Sequence, residues 1–168
     1  EKKRIADLSQ VIAGTESILP YLRPGNLVII ESTIPPLTCR DLIAPMIKKT
    51  GLKIGEDILL CHCPERILPG DVFEEIVHND RVIGGLDGKS AEMAREIYAS
   101  FVKGNLYLTD DVTAELVKLM ENTYRDVNIA LANEFAAVAE GLEVNIMQAI
   151  ELANKHPRVD ILKPGIGA

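Results

Sequence analysis

The sequence predicts an α/β fold, in which strands of a parallel sheet alternate with helices and one long helix follows. The β-branched run at residues 27–30 is continuous rather than alternating, which is typical of a strand covered on both faces. Segments whose apolar residues recur at helical spacing lie between the predicted strands. Beyond residue 108 the helical pattern continues without a break to Gly141. Strands that alternate with helices indicate a parallel sheet covered by helices.

Each predicted element is marked by its own pattern and its own end signal. The turns at residues 23–26 and at Gly51 end the first two helices. Pro35 and Pro64 stop the first two strands. The predicted strands are residues 27–30, 57–65, 81–85 and 105–108. The predicted helices are residues 5–22, 38–50, 90–101, 109–141 and 145–153.

The composition excludes several classes of protein. The 168 residues are 47% hydrophobic and 26% charged, which is ordinary globular composition. Scattered basic residues and a net charge of −7 disfavour nucleic acid as a partner. No apolar run approaches the roughly 20 residues that span a bilayer. We therefore expect a soluble protein without a membrane partner. The three cysteines form no disulfide framework, which fits a reducing compartment such as the cytoplasm.

Three predicted strands end in short segments that a ligand could approach. These segments are Ser32-Thr33, Pro64-Glu65 and Gly84-Gly85. Ligands of open parallel sheets bind beyond the carboxyl ends of the strands, so we expect the three segments to meet at one edge. A second interpretation stays open for each polar group. Ser32 and Thr33 can cap the following helix, and Glu65 can be a loop acid or a helix-capping charge.

Three polar residues share one face of the long helix. Lys118, Asn122 and Arg125 stand at positions i, i+4 and i+7. They can place an ammonium, an amide and a guanidinium around an anionic or hydroxyl-rich ligand, with Lys118 as acid or base. The same spacing also fits a solvated face on which Glu121 and Arg125 form an ion pair. Spacing alone leaves both interpretations open.

The length of the long helix suggests a larger assembly. A helix of about 30 residues spans about 45 Å, which is longer than a small domain needs. We expect it to link two domains or line a subunit interface, and the protein to form a homodimer or a higher homo-oligomer. The chain has four predicted strands and no G-x-G-x-x-G turn for a dinucleotide pyrophosphate. We therefore expect a piece of a longer protein that lacks material at both ends.

Cys61, His62 and Cys63 invite a metal-binding interpretation. Successive residues of a strand face opposite sides, and no second cluster of ligands accompanies these three. A structural zinc site needs a full set of convergent ligands, so we expect no metal site. Cys39 has no neighbouring histidine in the sequence and forms no nucleophile pair.

Three segments, in their order and spacing, resemble consecutive signatures of the UDP-glucose/GDP-mannose dehydrogenase family. They are residues 31–35 (ESTIP), 63–70 (CPERILPG) and 114–125 (AELVKLMENTYR). Residues 155–159 and 164–167 continue the likeness, which covers essentially the whole chain. Within the family, residues 64–70 and 122–128 are most similar to the UDP-N-acetyl-D-mannosamine dehydrogenase branch.

The resemblance implies an activity and a cofactor. Members of the family use NAD to oxidise the C6 alcohol of a nucleotide sugar to a carboxylate, in two hydride transfers through a thioester on a cysteine. That cysteine follows the counterpart of Gly167, beyond Ala168, and the glycine-rich turn precedes the counterpart of Glu1. The resemblance therefore implies that these 168 residues alone are inactive. It also implies a parent enzyme that supplies uronic-acid precursors of surface polysaccharide.

The resemblance also implies a role for each matching residue. Near the cofactor it places Ser32, Thr33 and Glu65, and Glu65 acts beside the sugar C6 during thioester hydrolysis. Lys118 stabilises the developing alkoxide or exchanges its proton, and Asn122 donates an amide hydrogen bond to the same oxygen. The residues implied to bind the substrate are Arg66, Ile67, Lys118, Asn122, Arg125, His156 and Arg158.

Two domains are predicted from these observations together. Residues 1–108 form the later part of a Rossmann-type NAD-binding domain, and residues 109–168 form a connecting helix and the start of a helical central, dimerisation domain. The expected reaction is oxidation of UDP-N-acetyl-D-mannosamine to the uronate. UDP-glucose and UDP-N-acetylglucosamine are the alternative substrates. A non-catalytic helical dimerisation or binding module is the alternative from a different functional class.

Overall fold

The computed structural model describes residues 6–67 and 70–167. Ile5, where the first helix is predicted to begin, and Leu68 and Pro69 of the 63–70 segment lie outside the described residues. The chain divides into two compact units, Glu1–Lys118 and Leu119–Ala168. The division falls inside the long helix.

The first unit contains a four-stranded sheet and the helices that connect its strands. The strands are β1 (Leu27–Ile30), β2 (Leu59–His62), β3 (Arg81–Gly85) and β4 (Leu106–Asp110). The helices are α1 (Ser9–Ile18) with a 3-10 turn at Leu19–Tyr21, α2 (Ala44–Lys48) after a π-helical turn at Cys39–Ile43, α3 (Val72–His78), α4 (Gly88–Ala99) and the start of α5 (Asp111–Gly141). The predicted α/β class is confirmed, and the segment between β2 and β3, which the sequence leaves open as a loop or a short helix, contains α3.

The sheet has the order β1-β2-β3-β4, and one of its pairings differs from the prediction. β1 pairs with β2 in parallel, and β3 pairs with β4 in parallel. β2 and β3 are antiparallel, with His62 opposite Gly84. A parallel connection needs a crossover that packs on the sheet, whereas α3, whose residues are all described, buries none of them. The chain therefore reverses direction after β2.

The antiparallel pairing changes which residues reach the edge of the sheet beyond β1 and β2. The expectation that Gly84-Gly85 ends beside Ser32-Thr33 and Pro64-Glu65 is wrong, because β3 runs in the opposite direction. The start of β3, at Arg81, lies beside Glu65 instead.

Two buried clusters cover the two faces of the sheet. Leu60 belongs to one cluster and Cys61 to the other, because successive side chains of a strand point to opposite faces. All four residues of β2 are buried, so this strand is covered on both sides. In β1, for which that burial is predicted, Val28 alone is buried and the other three residues are half-buried. The first cluster includes Val28, Ile34, Ile43, Ile47, Ile58 and Leu60. The second includes Cys61, Cys63, Ile83, Ala94, Tyr98 and Val102.

Helix α5 begins directly after β4 and packs closely on β3 in the first unit. Gly84 makes this approach possible, since a Cβ at this position would come within 2.5 Å of the Ala114 Cβ and 2.6 Å of the Asp110 carbonyl oxygen. The helix is 31 residues long, close to its predicted extent. In the part of the chain that the structure describes, no helix is both long and apolar enough to cross a membrane.

The second unit contains the rest of α5, helix α6 (Ile146–Ala153) and an irregular tail. Asparagine side chains on α5 hold the tail. The Asn128 Oδ1 accepts the Leu162 N–H at 2.9 Å, and the Asn133 Oδ1 accepts the Gly165 N–H at 2.9 Å. The tail is thus ordered by side chains rather than by regular structure.

Candidate functional site

The loops that follow β1 and β2 lie side by side at one edge of the sheet. Beyond the strands, the Glu65 N–H donates to the Glu31 carbonyl at 3.1 Å, which extends the parallel pairing. Ser32 and Thr33 follow Glu31 directly, so the structure brings them to the same edge as Glu65. The predicted proximity of these two loops is confirmed.

Ser32 and Thr33 are exposed, while Ile34 is buried in the core and anchors the loop. The helical turn that follows begins only at Cys39 and has no side-chain cap at its N-cap residue, Thr38. Ser32 and Thr33 therefore do not cap that turn, and the capping interpretation of these two residues is wrong. Hydroxyl groups both donate and accept hydrogen bonds, which suits them to contact a ligand amide.

The Glu65 carboxylate is oriented by its own loop. Its Oε1 accepts the backbone N–H of Arg66 at 2.6 Å and that of Ile67 at 2.7 Å. Its Oε2 lies 3.7 Å from the Arg81 Nη1, and the Glu65 side chain remains 40% exposed. Glu65 is therefore a loop-capping acid with a defined orientation, and its role near a cofactor stays a prediction.

Arg81 is a site residue that sequence reasoning missed. Its side chain is only 6% exposed, and its guanidinium carbon lies 4.9 Å from the centre of the Tyr98 ring. The Tyr98 hydroxyl donates to the Glu31 Oε1 at 2.7 Å. The available signal was a charged residue at the start of an apolar strand. This signal did not indicate the site, because a β3 parallel to β2 would place Arg81 at the opposite edge of the sheet from Glu65.

Glu115 of α5 is a second residue that the sequence did not reveal. This buried carboxylate accepts the backbone N–H of Leu37 at 2.6 Å and that of Cys39 at 2.8 Å. Leu37 has a φ of 74°, a conformation that an L residue adopts at a cost. Burial raises the pKa of Glu115, while the two N–H groups oppose that rise. Glu115 thus fixes the backbone that follows the Ser32-Thr33 loop.

An ion pair reinforces this contact one turn earlier in α5. The Arg40 Nη2 donates to the Asp111 Oδ1 at 2.6 Å, and the Asp111 side chain is fully buried. Lys118 follows Glu115 by three residues in the same helix and is half-buried. The start of α5 is therefore tied to the segment that leaves the sheet edge.

The three cysteines and His62 lie in the core. Burial raises the pKa of the thiols of Cys39 and Cys61 far above the neutral range, so neither is a ready nucleophile. Burial also lowers the pKa of His62 to about 4, which leaves its imidazole neutral at pH 7. Within residues 6–67 and 70–167, no group of three or more His, Cys, Asp and Glu side chains is arranged to hold a metal ion.

The polar stripe on α5 crosses the division between the two units. Lys118 belongs to the first unit, whereas Asn122 and Arg125 belong to the second. Each of the three residues is half-buried, and both interpretations of the stripe stay open. Arg125 also lines a groove of about 1020 Å³ in the second unit, together with Lys155 and Lys163.

The remaining predicted substrate residues lie in two places. In the first unit, the Arg66 Nη1 donates to the Asp80 carbonyl at 3.2 Å, and Ile67 is half-buried. In the second unit, His156 and Arg158 are exposed on the turn after α6, where the Arg158 N–H donates to the His156 Nδ1 at 3.3 Å.

Comparison with known sequences defines the class of protein. Residues 1–102 match the NAD binding domain of the UDP-glucose/GDP-mannose dehydrogenase family, and residues 112–168 match the central domain of that family. The chain belongs to the UDP-glucose/GDP-mannose dehydrogenase family. The resemblance carried by residues 31–35, 63–70 and 114–125 is confirmed.

Several individual relatives are highly similar to the chain. The UDP-N-acetyl-D-mannosamine dehydrogenase of Methanocaldococcus jannaschii is 62% identical over 167 residues, covering 99% of this chain and 37% of that protein. The solved structure of UDP-D-ManNAc dehydrogenase from Pyrococcus horikoshii has a TM-score of 0.90 and 53% identity, covering 96% of this chain and 39% of that one. The UDP-N-acetyl-mannosamine dehydrogenase structure from Staphylococcus aureus has a TM-score of 0.86 and 52% identity, covering 98% and 40%. The chain thus spans well under half the length of these relatives.

The residues at the sheet edge fit part of a NAD site. Exposed hydroxyl groups at the carboxyl end of β1 are suitable partners for a carboxamide such as that of nicotinamide. The sequence contains no G-x-G-x-x-G turn, so the 168 residues carry no such turn for the pyrophosphate. Ser32 and Thr33 therefore fit hydrogen bonding to a cofactor, and their contact with the nicotinamide stays a prediction.

Proposed function

We propose that the chain is part of an NAD-dependent dehydrogenase that oxidises the C6 alcohol of UDP-N-acetyl-D-mannosamine to the carboxylate. The observation that carries this proposal is the sheet edge itself. There the exposed Ser32-Thr33 hydroxyls stand in the loop beside the oriented Glu65 carboxylate, within the family's NAD-binding domain. The two relatives most relevant to the choice of sugar, from M. jannaschii and P. horikoshii, are both named as dehydrogenases of this substrate.

The proposed roles follow from the chemistry of each group. NAD would supply the hydride acceptor, and two successive NAD molecules would each take one hydride from C6. Ser32 and Thr33 hydrogen-bond the nicotinamide end and order water. Lys118 stabilises the alkoxide or exchanges its proton, and Asn122 donates an amide hydrogen bond to the same oxygen. Glu65 acts near C6 in hydrolysis of the acyl group from a cysteine outside these residues.

The substrate-binding set surrounds these groups in the proposal. Guanidinium groups bind diphosphate oxygens bidentately, which suits Arg66, Arg125 and Arg158 to the nucleotide end. His156 and Ile67 complete the set that we assign to the sugar and diphosphate. Arg125, Lys155 and Lys163 line the 1020 Å³ groove together with one acid, Glu151, whose Oε1 lies 4.0 Å from the Lys155 Nζ. The excess of basic residues supports an anionic ligand in the second unit.

The organisation of the parent protein is also proposed. Residues 1–108 serve as the later part of the NAD-binding domain, and residues 109–168 begin a central domain through which a homodimer or higher homo-oligomer forms. Exposed apolar residues on the later part of α5, including Leu131, Phe135 and Val138, support a further apolar contact there. We place the enzyme in the cytoplasm, where it makes uronic-acid precursors of surface polysaccharide.

The test is a substrate panel on the complete protein that contains this chain. We expect two NADH per UDP-N-acetyl-D-mannosamine consumed and the uronate as product. UDP-glucose, UDP-N-acetylglucosamine and GDP-mannose serve as the competing substrates. A higher kcat/KM for any of these contradicts the proposed sugar, and the absence of NADH with every sugar supports the non-catalytic alternative.

A further inference from the structure

We propose that Arg81 is a positioning residue for Glu65: its buried guanidinium holds the Glu65 carboxylate in the orientation that hydrolysis of the acyl group requires. This inference rests on the function proposed for Glu65. Arg81 is the first residue of β3, and the antiparallel pairing of β3 with β2 brings it beside the loop that follows β2. Its Nη1 lies 3.7 Å from the Glu65 Oε2.

The difference in burial between the two partners shows which one is fixed. The Arg81 side chain is 6% exposed, whereas that of Glu65 is 40% exposed. A guanidinium stays charged at physiological pH, and its burial is costly unless an anion lies close. Arg81 therefore attracts a carboxylate to a defined point, and the partly exposed Glu65 side chain adjusts to it.

Arg81 is itself held by two neighbouring groups. The Tyr98 ring packs on its guanidinium at 4.9 Å, and its Nη2 donates to the Ile76 carbonyl at 3.4 Å. The Tyr98 hydroxyl donates to the Glu31 side chain at 2.7 Å. Since the Glu31 carbonyl accepts the Glu65 N–H, the Tyr98 and Arg81 pair is connected to both loops of the sheet edge.

The two oxygens of Glu65 have different partners, which fixes the plane of the carboxylate. Oε1 is held by the N–H groups of Arg66 and Ile67, and Oε2 faces Arg81. In the proposed hydrolysis, Glu65 accepts a proton from water as the water oxygen bonds to the acyl carbon. The carbon–sulfur bond breaks and the cysteine leaves as a thiolate. The direction in which Glu65 presents its lone pair therefore determines the rate of this step.

The primary test is Arg81→Met in the complete enzyme. We expect the first two NADH per active site to form at the wild-type rate, followed by a steady state slowed roughly 10- to 100-fold, because misplaced catalytic groups lose rates of this order. Intact mass should show the acyl-enzyme accumulating. Because hydrolysis then limits turnover, kcat/KM for NAD and for the sugar nucleotide should stay near the wild-type values, while both KM values fall together with kcat. A general loss of structure would slow every step and would not accumulate one covalent intermediate.

Two further variants complete the design. Arg81→Lys keeps the charge but loses the planar group that packs on Tyr98, so we expect partial rescue of the hydrolytic rate. If Arg81→Met does not fold, Arg81→Lys is the variant that tests the proposal. Arg95→Met is the matched control, because Arg95 is 47% exposed and pairs with Glu92 within α4. We expect wild-type kinetics from this control.

The outcomes separate this inference from the function on which it rests. If the wild type reduces NAD but Arg81→Met and Arg81→Lys break down the acyl-enzyme at the wild-type rate, the positioning role of Arg81 is wrong. If both variants slow the burst and the steady state equally, Arg81 is merely structural. If the wild type oxidises no nucleotide sugar, the proposed function fails and the role of Arg81 in hydrolysis fails with it.

Discussion

Glu115 of α5 caps the backbone segment that follows Thr33. The turn in this segment has no side-chain cap of its own at Thr38. Its carboxylate receives two backbone N–H groups, at Leu37 and Cys39, and one of these residues has a positive φ. A charged acceptor inside the core is costly on its own, and the two charge-assisted hydrogen bonds offset that cost. The strained turn at Leu37 is therefore stabilised by Glu115 of α5 and not by the residues of the turn itself.

Removal of this cap should destabilise the chain markedly. We predict that Glu115→Ala lowers the free energy of unfolding by about 2–4 kcal/mol, since it leaves two N–H groups without their acceptor. Denaturant unfolding with circular dichroism measures the loss. Glu134→Ala, at an exposed position of the same helix, is the control and should change stability by less than about 0.5 kcal/mol. Equal stability of the two variants would contradict the capping role.

His62 should make stability depend on pH in a defined window. Burial lowers its pKa to about 4, from 6.5 in the unfolded chain. Between these values the unfolded chain binds more protons, so stability is present above pH 6.5 and is lost as the pH falls towards 4. The shift corresponds to about 3 kcal/mol at most.

Unfolding free energies of the wild type and of His62→Gln, measured from pH 4 to pH 7, test this prediction. We expect a smaller pH dependence for the variant. His78→Gln is the control, because the His78 side chain is 52% exposed and pairs with Glu74 on the surface. Parallel curves for His62→Gln and the wild type would show that His62 does not carry the effect.

Local patterns predicted some site residues and could not predict others. Ser32, Thr33 and Glu65 stood at strand ends marked by proline, and β1 and β2 are adjacent parallel strands, so their proximity followed from the pattern. Arg81 and Glu115 act through pairings between residues far apart in the chain. Their roles depend on the direction of β3 and on the docking of α5, which no local pattern encodes.

The helices and strands show where the periodicity of apolar residues is sufficient to predict an element's position. The helices α4 and α5 match their predicted positions closely, whereas β2 covers only Leu59–His62 of the predicted residues 57–65. The helix predicted at residues 38–50 is instead a π-helical turn followed by the short α2. Pro45 lacks a backbone N–H, which removes a regular helical bond within this segment.

Helix α6 depends on a single capping side chain. The Asn145 Oδ1 accepts the N–H of Met147 at 3.0 Å and that of Gln148 at 3.3 Å. We predict that Asn145→Ala lowers stability by about 1 kcal/mol, whereas Asn145→Asp keeps the acceptor and most of the stability. Thermal unfolding of both variants measures the difference. Equal losses in the two variants would mean that the side-chain oxygen does not stabilise the helix.

At the scale of the whole molecule, the chain holds parts of two domains of one enzyme family. The first unit contains the exposed Ser32 and Thr33 hydroxyls and the oriented Glu65 carboxylate. The second unit contains Asn122, Arg125 and a groove lined by Arg125, Lys155, Lys163 and Glu151. Helix α5 is the continuous element that contributes to both units. We propose that Lys118 gives this helix its role in the chemistry.

The most direct measurement of that claim is the rate of NADH formation from UDP-N-acetyl-D-mannosamine by the complete protein and by its Lys118→Met variant. Methionine has a similar length but no ammonium group, so we predict a loss in kcat of roughly 100-fold or more. Lys48→Met, at an exposed position of α2, should retain full activity. A folded Lys118→Met variant with the wild-type kcat would contradict the catalytic role of Lys118.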